Sequence, residues 1–155
     1  MNEIIKSKFR IYEAGISDDP YLWEWRNDSL TVEMSKTQKK VKWLEHKNWL
    51  KNIRKQCNTK IYIAKNLDLQ RIGMSRFQET KEKEVEVSIN ICPKIRGKGF
   101  SYDFLRLSVK KYLDYNKSIL LATIRKENNA SIKCFSKCGF DLVSEDNQFY
   151  FYKKK

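Results

Sequence analysis

Between Glu84 and Ile91 the chain alternates strictly, with Val85, Val87, Ile89 and Ile91 on one side and Glu84, Glu86, Ser88 and Asn90 on the other. Side chains of an extended backbone point to opposite faces in turn, so this segment is a strand with one apolar face and one polar stripe. Pro93 brings no amide proton to a ladder and ends it. Gly97 and Gly99 follow, then Phe104, Leu105, Val109, Tyr112 and Leu113 mark an amphipathic helix running to about Asn116. A strand, a glycine-containing loop and a helix in direct succession make an anion cradle. Glycines let the backbone approach a phosphate, first-turn amides have no helical partner, and the helix dipole adds positive potential. Arg96 and Lys98 add charge, and the loop from Arg96 to Ser101 suits a pyrophosphate held by main-chain donors. It is not a P-loop, since no Lys-Ser/Thr pair stands at the required distance from a first Gly. Nor is it a dinucleotide fingerprint, since the third glycine is missing.

The flanking segments fill out an α/β fold. Lys8 to Glu13 reads as a strand, and Ser17-Asp18-Asp19-Pro20 as the start of a helix through Tyr21-Leu22-Trp23-Glu24-Trp25. A helix from about Val41 to Arg54 follows from the spacing of Trp43, His46, Leu50 and Ile53. Lys60–Lys65 and Arg71–Phe77 form a hairpin ahead of the alternating strand. Ser118–Ile124 reads as a buried strand, and Asn128 or Asn129 caps a helix to about Lys137 that Gly139 terminates. Phe140–Val143 and Gln148–Tyr152 close the chain as strands. The sum is about seven strands in one mixed sheet flanked by about four helices.

The chain of 155 residues has the size of one domain, and no repeat or linker divides it. Its net charge of +13 favours phosphate-bearing ligands. The lysines are spread along the chain rather than blocked together, which argues for a solvated surface and against a dedicated nucleic-acid face. Lys6, Lys8 and Arg10 break up the first apolar residues, so no signal peptide or membrane span is expected and the location is cytoplasmic. Cys57, Cys92, Cys134 and Cys138 then stay reduced. Cys134 and Cys138 lie one helical turn apart without a His or second Cys pair nearby, so they read as buried hydrophobes and no metal is expected.

Pro93-Lys94-Ile95-Arg96-Gly97-Lys98-Gly99-Phe100-Ser101 resembles the Pro-x-x-Arg-Gly-x-Gly-x-Gly/Ala motif of the GNAT superfamily of N-acetyltransferases, with Ser for the last small residue. Asn128, Ser131, Phe135 and Gly139-Phe140 fall on a second motif of that family at the right separation, and Ile72-Gly73 also matches. The resemblance implies a mixed, mostly antiparallel sheet and acetyl-CoA as co-substrate. It places main-chain groups of Ile91 beside the pantetheine arm, the amides of Arg96, Gly97, Lys98, Gly99, Phe100 and Ser101 on the pyrophosphate, and Asn128, Ser131 and Phe135 along the cofactor. Many relatives have a Tyr where this chain has Phe135, which has no proton to donate.

On the acceptor side, Glu86 and Ser88 stand on the strand that the resemblance sets beside the thioester. Glu86 can draw a proton from the amine, directly or through water; it also reads as an ordinary solvent-facing carboxylate. Trp25-Arg26-Asn27 and Glu45-His46 resemble the sugar-nucleotide N-acetyltransferases of pseudaminic acid biosynthesis, which share the Glu86-x-Ser88 pattern; ribosomal-protein acetyltransferases share the Trp-Arg-Asn opening. Trp25, Arg26 and His46 are the acceptor-side candidates, although a tryptophan is usually core, Arg26 can pair with Glu24 or Asp28, and His46 has helical spacing with Trp43 and Leu50. The acceptor reading is a small-molecule amine, foremost a nucleotide-linked amino sugar. Peptide N-terminal acetylation and an inactive polyanion-binding module are the alternatives. A homodimer formed through the aromatic C-terminal strand is a further expectation.

Overall fold

The computed structural model of the chain describes residues 8–155, so the reading of its first residues as lacking a leader falls largely outside it. Seven strands form one sheet: β1 (Phe9–Glu13), β2 (Thr59–Asn66), β3 (Arg71–Glu79), β4 (Val85–Ile91), β5 (Leu120–Arg125), β6 (Asp141–Glu145) and β7 (Phe149–Lys154). Their spatial order is β1-β2-β3-β4-β5-β7-β6, and each neighbouring pair is antiparallel except β4 with β5. The helices are α1 (Asp19–Arg26), α2 (Ser29–Met34), α3 (Trp43–Gln56), α4 (Phe100–Leu113) and α5 (Asn129–Lys137).

Alternation along the strands divides the core between two faces. Ile61 and Ile63 of β2 turn toward α1 and α3, where they bury with Leu22, Trp25, Leu50 and Ile53. Tyr62 between them turns the other way, toward Phe77, Val85 and Val87 and the apolar sides of α4 and α5. Phe77 and Tyr112 stack there with ring centroids 4.5 Å apart. A third cluster joins Phe9, Ala64 and Ile72 to Phe104 at the start of α4. Gly73 permits this approach, because a Cβ there would stand 3.2 Å from the Phe104 ring and 3.1 Å from the Asn90 carbonyl.

Three expectations change. α2 is an additional short helix, which Asp28 caps by accepting a 3.2 Å bond from the Thr31 amide. Asp18 marks the start of α1 but acts chiefly as a buried hub: its carboxylate accepts from Gly15 N at 2.8 Å, Tyr12 Oη at 3.1 Å and Arg71 Nε at 2.7 Å. The C-terminal strand cannot extend the sheet to a second molecule, because β7 lies between β5 and β6 and has both edges paired. The strand at that edge is β6, whose Leu142 and Val143 are more than half exposed.

Candidate active site

β4 and β5 stay in register for two pairs only, Val85 with Leu120 and Glu86 with Leu121. Beyond them β4 continues against β3 and β5 against β7, leaving the facing backbone groups from Val87 onward without a neighbouring strand. A cleft of about 740 Å³ opens at this divergence, with Ile89, Asn90 and Ile91 on one wall and Thr123, Ile124 and Arg125 on the other. Its size falls in the range of small-molecule sites. An extended ligand arm lying here can bond to β4 as an added strand.

At the end of β4 a short 3-10 turn, Pro93–Ile95, delivers the chain to the glycines. Gly97 has φ +77° and Gly99 φ +81°, a backbone region that side-chain-bearing residues rarely adopt. Gly99 is the N-cap of α4, no side chain caps it among the described residues, and the space beside both glycine α-carbons is open. Unpartnered amides and the positive end of a fourteen-residue helix therefore face free volume. Gly97 and Ser101 border the same cleft, so the divergence and the loop form one continuous site fitted to an extended arm ending in a pyrophosphate.

The Arg96 guanidinium does not join that cradle. Nε donates to the Ile91 carbonyl at 3.1 Å, Nη1 to Asp28 at 2.6 Å, and Nη2 to Thr31 Oγ1 at 2.9 Å and to Asn90 Oδ1 at 3.3 Å. It ties the loop to the cap of α2 instead.

On the α1–α3 side of the sheet, Glu86, Ser88 and Asn90 present their stripe to the cleft. Glu86 accepts from Lys36 Nζ at 2.5 Å. Arg125, on the opposite wall, donates to the carbonyls of Ser35 and Lys36 at 2.9 and 3.1 Å, which draws the segment after α2 across the opening. Asn90 Nδ2 donates to the Trp25 carbonyl at 3.1 Å. Burial pushes His46 below its ordinary value and the charges of Arg26 and Arg76 add to that, against Asp19, so the ring is neutral near pH 7.

The sequence profile of the acetyltransferase (GNAT) domain family matches residues 9–141. The chain belongs to the GNAT acetyltransferase family. Its enzymatic class is accordingly acetyl-CoA-dependent N-acetyl transfer to an amine. A search of curated proteins finds no significant match. Among solved structures, a spermidine N-acetyltransferase from Vibrio cholerae in complex with CoA and spermine superposes with a TM-score of 0.84 at 13% identity, over 96% of this chain and 95% of that one. A domain from Methanocaldococcus jannaschii gives 0.81 at 22% identity, over 95% and 97%. A putative acetyltransferase from Acinetobacter baylyi gives 0.79 at 22% identity, over 94% and 92%. At these identities the superpositions speak for the fold.

Within the GNAT fold the expected cofactor residues Ile91, Arg96, Gly97, Ser101, Asn128, Ser131 and Phe135 all border the cleft, whereas Lys98, Gly99 and Phe100 do not. Lys98 and Gly99 belong to the loop, Gly99 as the N-cap of α4, and Phe100 to the first turn of α4. Asn128 Oδ1 accepts from the Ser131 amide at 3.2 Å as the cap of α5. Phe135 is buried and packs edge-on against Phe140 at 5.0 Å. On the acceptor side Glu86, Ser88, Arg26 and His46 converge on the cleft. Trp25 does not: its side chain is 2% exposed in the α1–α3 core, and what α1 offers β4 at that position is the Trp25 carbonyl. Trp49, one of the tryptophans of the early helices that the family resemblance sets over the acceptor site, lines the cleft, and so does Arg76. Arg76 looks in sequence like an ordinary polar strand residue; only the β3–β4 register, which sets it opposite Ser88, brings it to the site.

Proposed function

We propose that the enzyme transfers an acetyl group from acetyl-CoA to the primary amine of a nucleotide-linked amino sugar. The observation that carries the reading is the placement of the Glu86–Ser88–Asn90 stripe at the divergence of β4 and β5, on one cleft with the glycine loop. Acetyl-CoA brings the acetyl group as an activated thioester. The chain's part is positional and acid–base. Main-chain groups of Val87–Ile91 hold the arm straight and the loop amides hold the pyrophosphate. Glu86 takes a proton from the incoming amine, directly or through water, and its pairing with Lys36 must loosen for it to do so. Ser88 lies across from Arg76 and orients the acceptor. Phe135 has no proton to give, so its contribution is packing. Arg26 on the cleft wall supports an acceptor that carries negative charge.

A second reading, polyamine acetylation, is favoured by the likeness in shape to the Vibrio cholerae enzyme crystallised with spermine. Release of free CoA measured against amino-sugar nucleotides, peptides and polyamines separates the two. The first reading expects the highest kcat/KM with an amino-sugar nucleotide. Preference for spermidine would install the second, and absence of CoA release with every amine would defeat both.

A further inference from the structure

On the acceptor side of the cleft, three polar atoms are buried without a hydrogen-bond partner among the described residues: Arg26 Nη1, Arg76 Nε and His46 Nε2. They come from α1, β3 and α3, and all three residues line the cleft together with Trp49. Nearly all buried polar groups in folded proteins find a partner, so three orphans in one place call for a ligand. The surrounding pairings sharpen this. Glu86 is engaged by Lys36, Asp19 by Arg54 and Asp28 by Arg96. Arg26 has one weak contact, Nη2 to Thr37 Oγ1 at 3.3 Å, and Arg76 lies over the Trp49 ring at 5.4 Å, which holds its plane without neutralising it. Burial lowers the pKa of both; at Arg76 the Glu86 carboxylate acts against this and the charge of Arg26 acts with it.

We propose that Arg26 and Arg76, with His46 beside them, form a subsite for an anionic group of the acceptor, a phosphoryl or a carboxylate, and that this pair selects against polycationic amines. The inference rests on the acetyltransfer reading and narrows its substrate class. Forked guanidinium donors suit oxyanions of either kind. The neutral imidazole supplies a donor or an acceptor without adding a third charge. The subsite sits on the acceptor face, apart from the amide cradle for the pyrophosphate of the cofactor.

The test is calorimetry on the full chain with CoA saturating, so that the glycine loop is filled. One arm titrates UDP and inorganic pyrophosphate, the other succinate and glutarate. The expected result is binding in one arm, weakened at least tenfold in Arg76→Gln and in Arg26→Gln while CoA affinity stays within twofold of the parent. Arg76→Lys, which keeps the charge, retains part of the binding and guards against misreading a folding defect. The arm that binds identifies the anion. Binding in neither arm, or equal binding by parent and both Gln variants, overturns the subsite. Acetyl transfer from acetyl-CoA, read as CoA release, that is faster for spermidine than for an amine carrying phosphate or carboxylate also overturns it. If the parent fails to bind CoA at all, it is the acetyltransfer reading that falls instead.

Discussion

The role proposed for Gly99 rests on what it lacks. At φ +81° a side chain strains the backbone by roughly 1–2 kcal/mol, yet a Cβ there meets nothing within 4 Å, so bulk is accommodated in the free protein. Gly99→Trp is therefore expected to stay folded by circular dichroism and to lose CoA binding in calorimetry; retained micromolar affinity would remove the loop from the cofactor site. Glu86→Gln should lower kcat by about 100-fold, the lower range for positioned proton transfer, with the KM for acetyl-CoA unchanged. Unaltered turnover would reduce Glu86 to a partner for Lys36. The residues that sequence reading found are those whose chemistry is local. Gly97 and Gly99 declare backbone freedom next to a helix start, and the polar stripe of β4 declares itself by alternation. Arg76 declares nothing locally, because its role arises from a register with β4. Trp25 misleads for the opposite reason: the Trp-Arg-Asn motif is at the site, but the helix turns the ring inward and leaves its carbonyl to meet Asn90.

At the level of elements, α2 and the glycine loop are joined by one side chain. Arg96 reaches Asp28, Thr31 and Asn90, so the cap of α2, the end of β4 and the glycine loop are tied together. Asp28 is held below the usual carboxylate range, because the bonds from Arg96 and the Thr31 amide outweigh the upward push of burial. Asp28→Asn should raise the KM for the acceptor at least fivefold and change CoA affinity less than threefold. A loss confined to CoA binding would show that Arg96 serves the pyrophosphate instead. α2 escaped sequence reading because six residues are too few to show a helical period. The longer elements, α3, α4 and β4, came through with small changes at their ends, since hydrophobic patterns repeat in them several times. The capping of α5 by Asn128 was also legible, because that signal lies within three residues.

For the molecule as a whole, acid stability depends on a few buried charges. Burial pushes Asp18 up, but the bonds from Arg71, the Gly15 amide and Tyr12 outweigh it and hold the carboxyl below its ordinary range. Burial, with the charge of Asp18 and the bond to it, raises Tyr12 to about 12 against the opposing effect of Arg71. With the folded value below an unfolded value near 3.9, the unfolded chain takes the proton first, so this stabilisation is complete above about pH 5 and fades as pH falls through the folded value. His46 acts earlier in a titration. Its folded pKa lies below an unfolded value of about 6.5, so its contribution is whole at neutral pH and declines as pH drops from there toward the folded value. Melting temperature should thus fall in two stages on acidification. Asp18→Asn should cost about 3 kcal/mol near neutrality, the loss typical of breaking a buried pair, and shrink the later stage, to which Asp28 also contributes. A single stage unaffected by that change would contradict the hub.

The two-pair register of β4 and β5 also bears on how the protein behaves between turnovers. Among the described residues β4 and β5 share no rung beyond Glu86 and Leu121, and on the proposed binding mode an elongated thioester carrier bridges the two halves of the sheet only while it is bound. Amide protons of Ile89 and Ile91 should exchange with deuterium faster in the carrier-free enzyme than in its presence. Resistance to unfolding should then rise and fall with the supply of acetyl donor, making the enzyme's rigidity a readout of its own fuel.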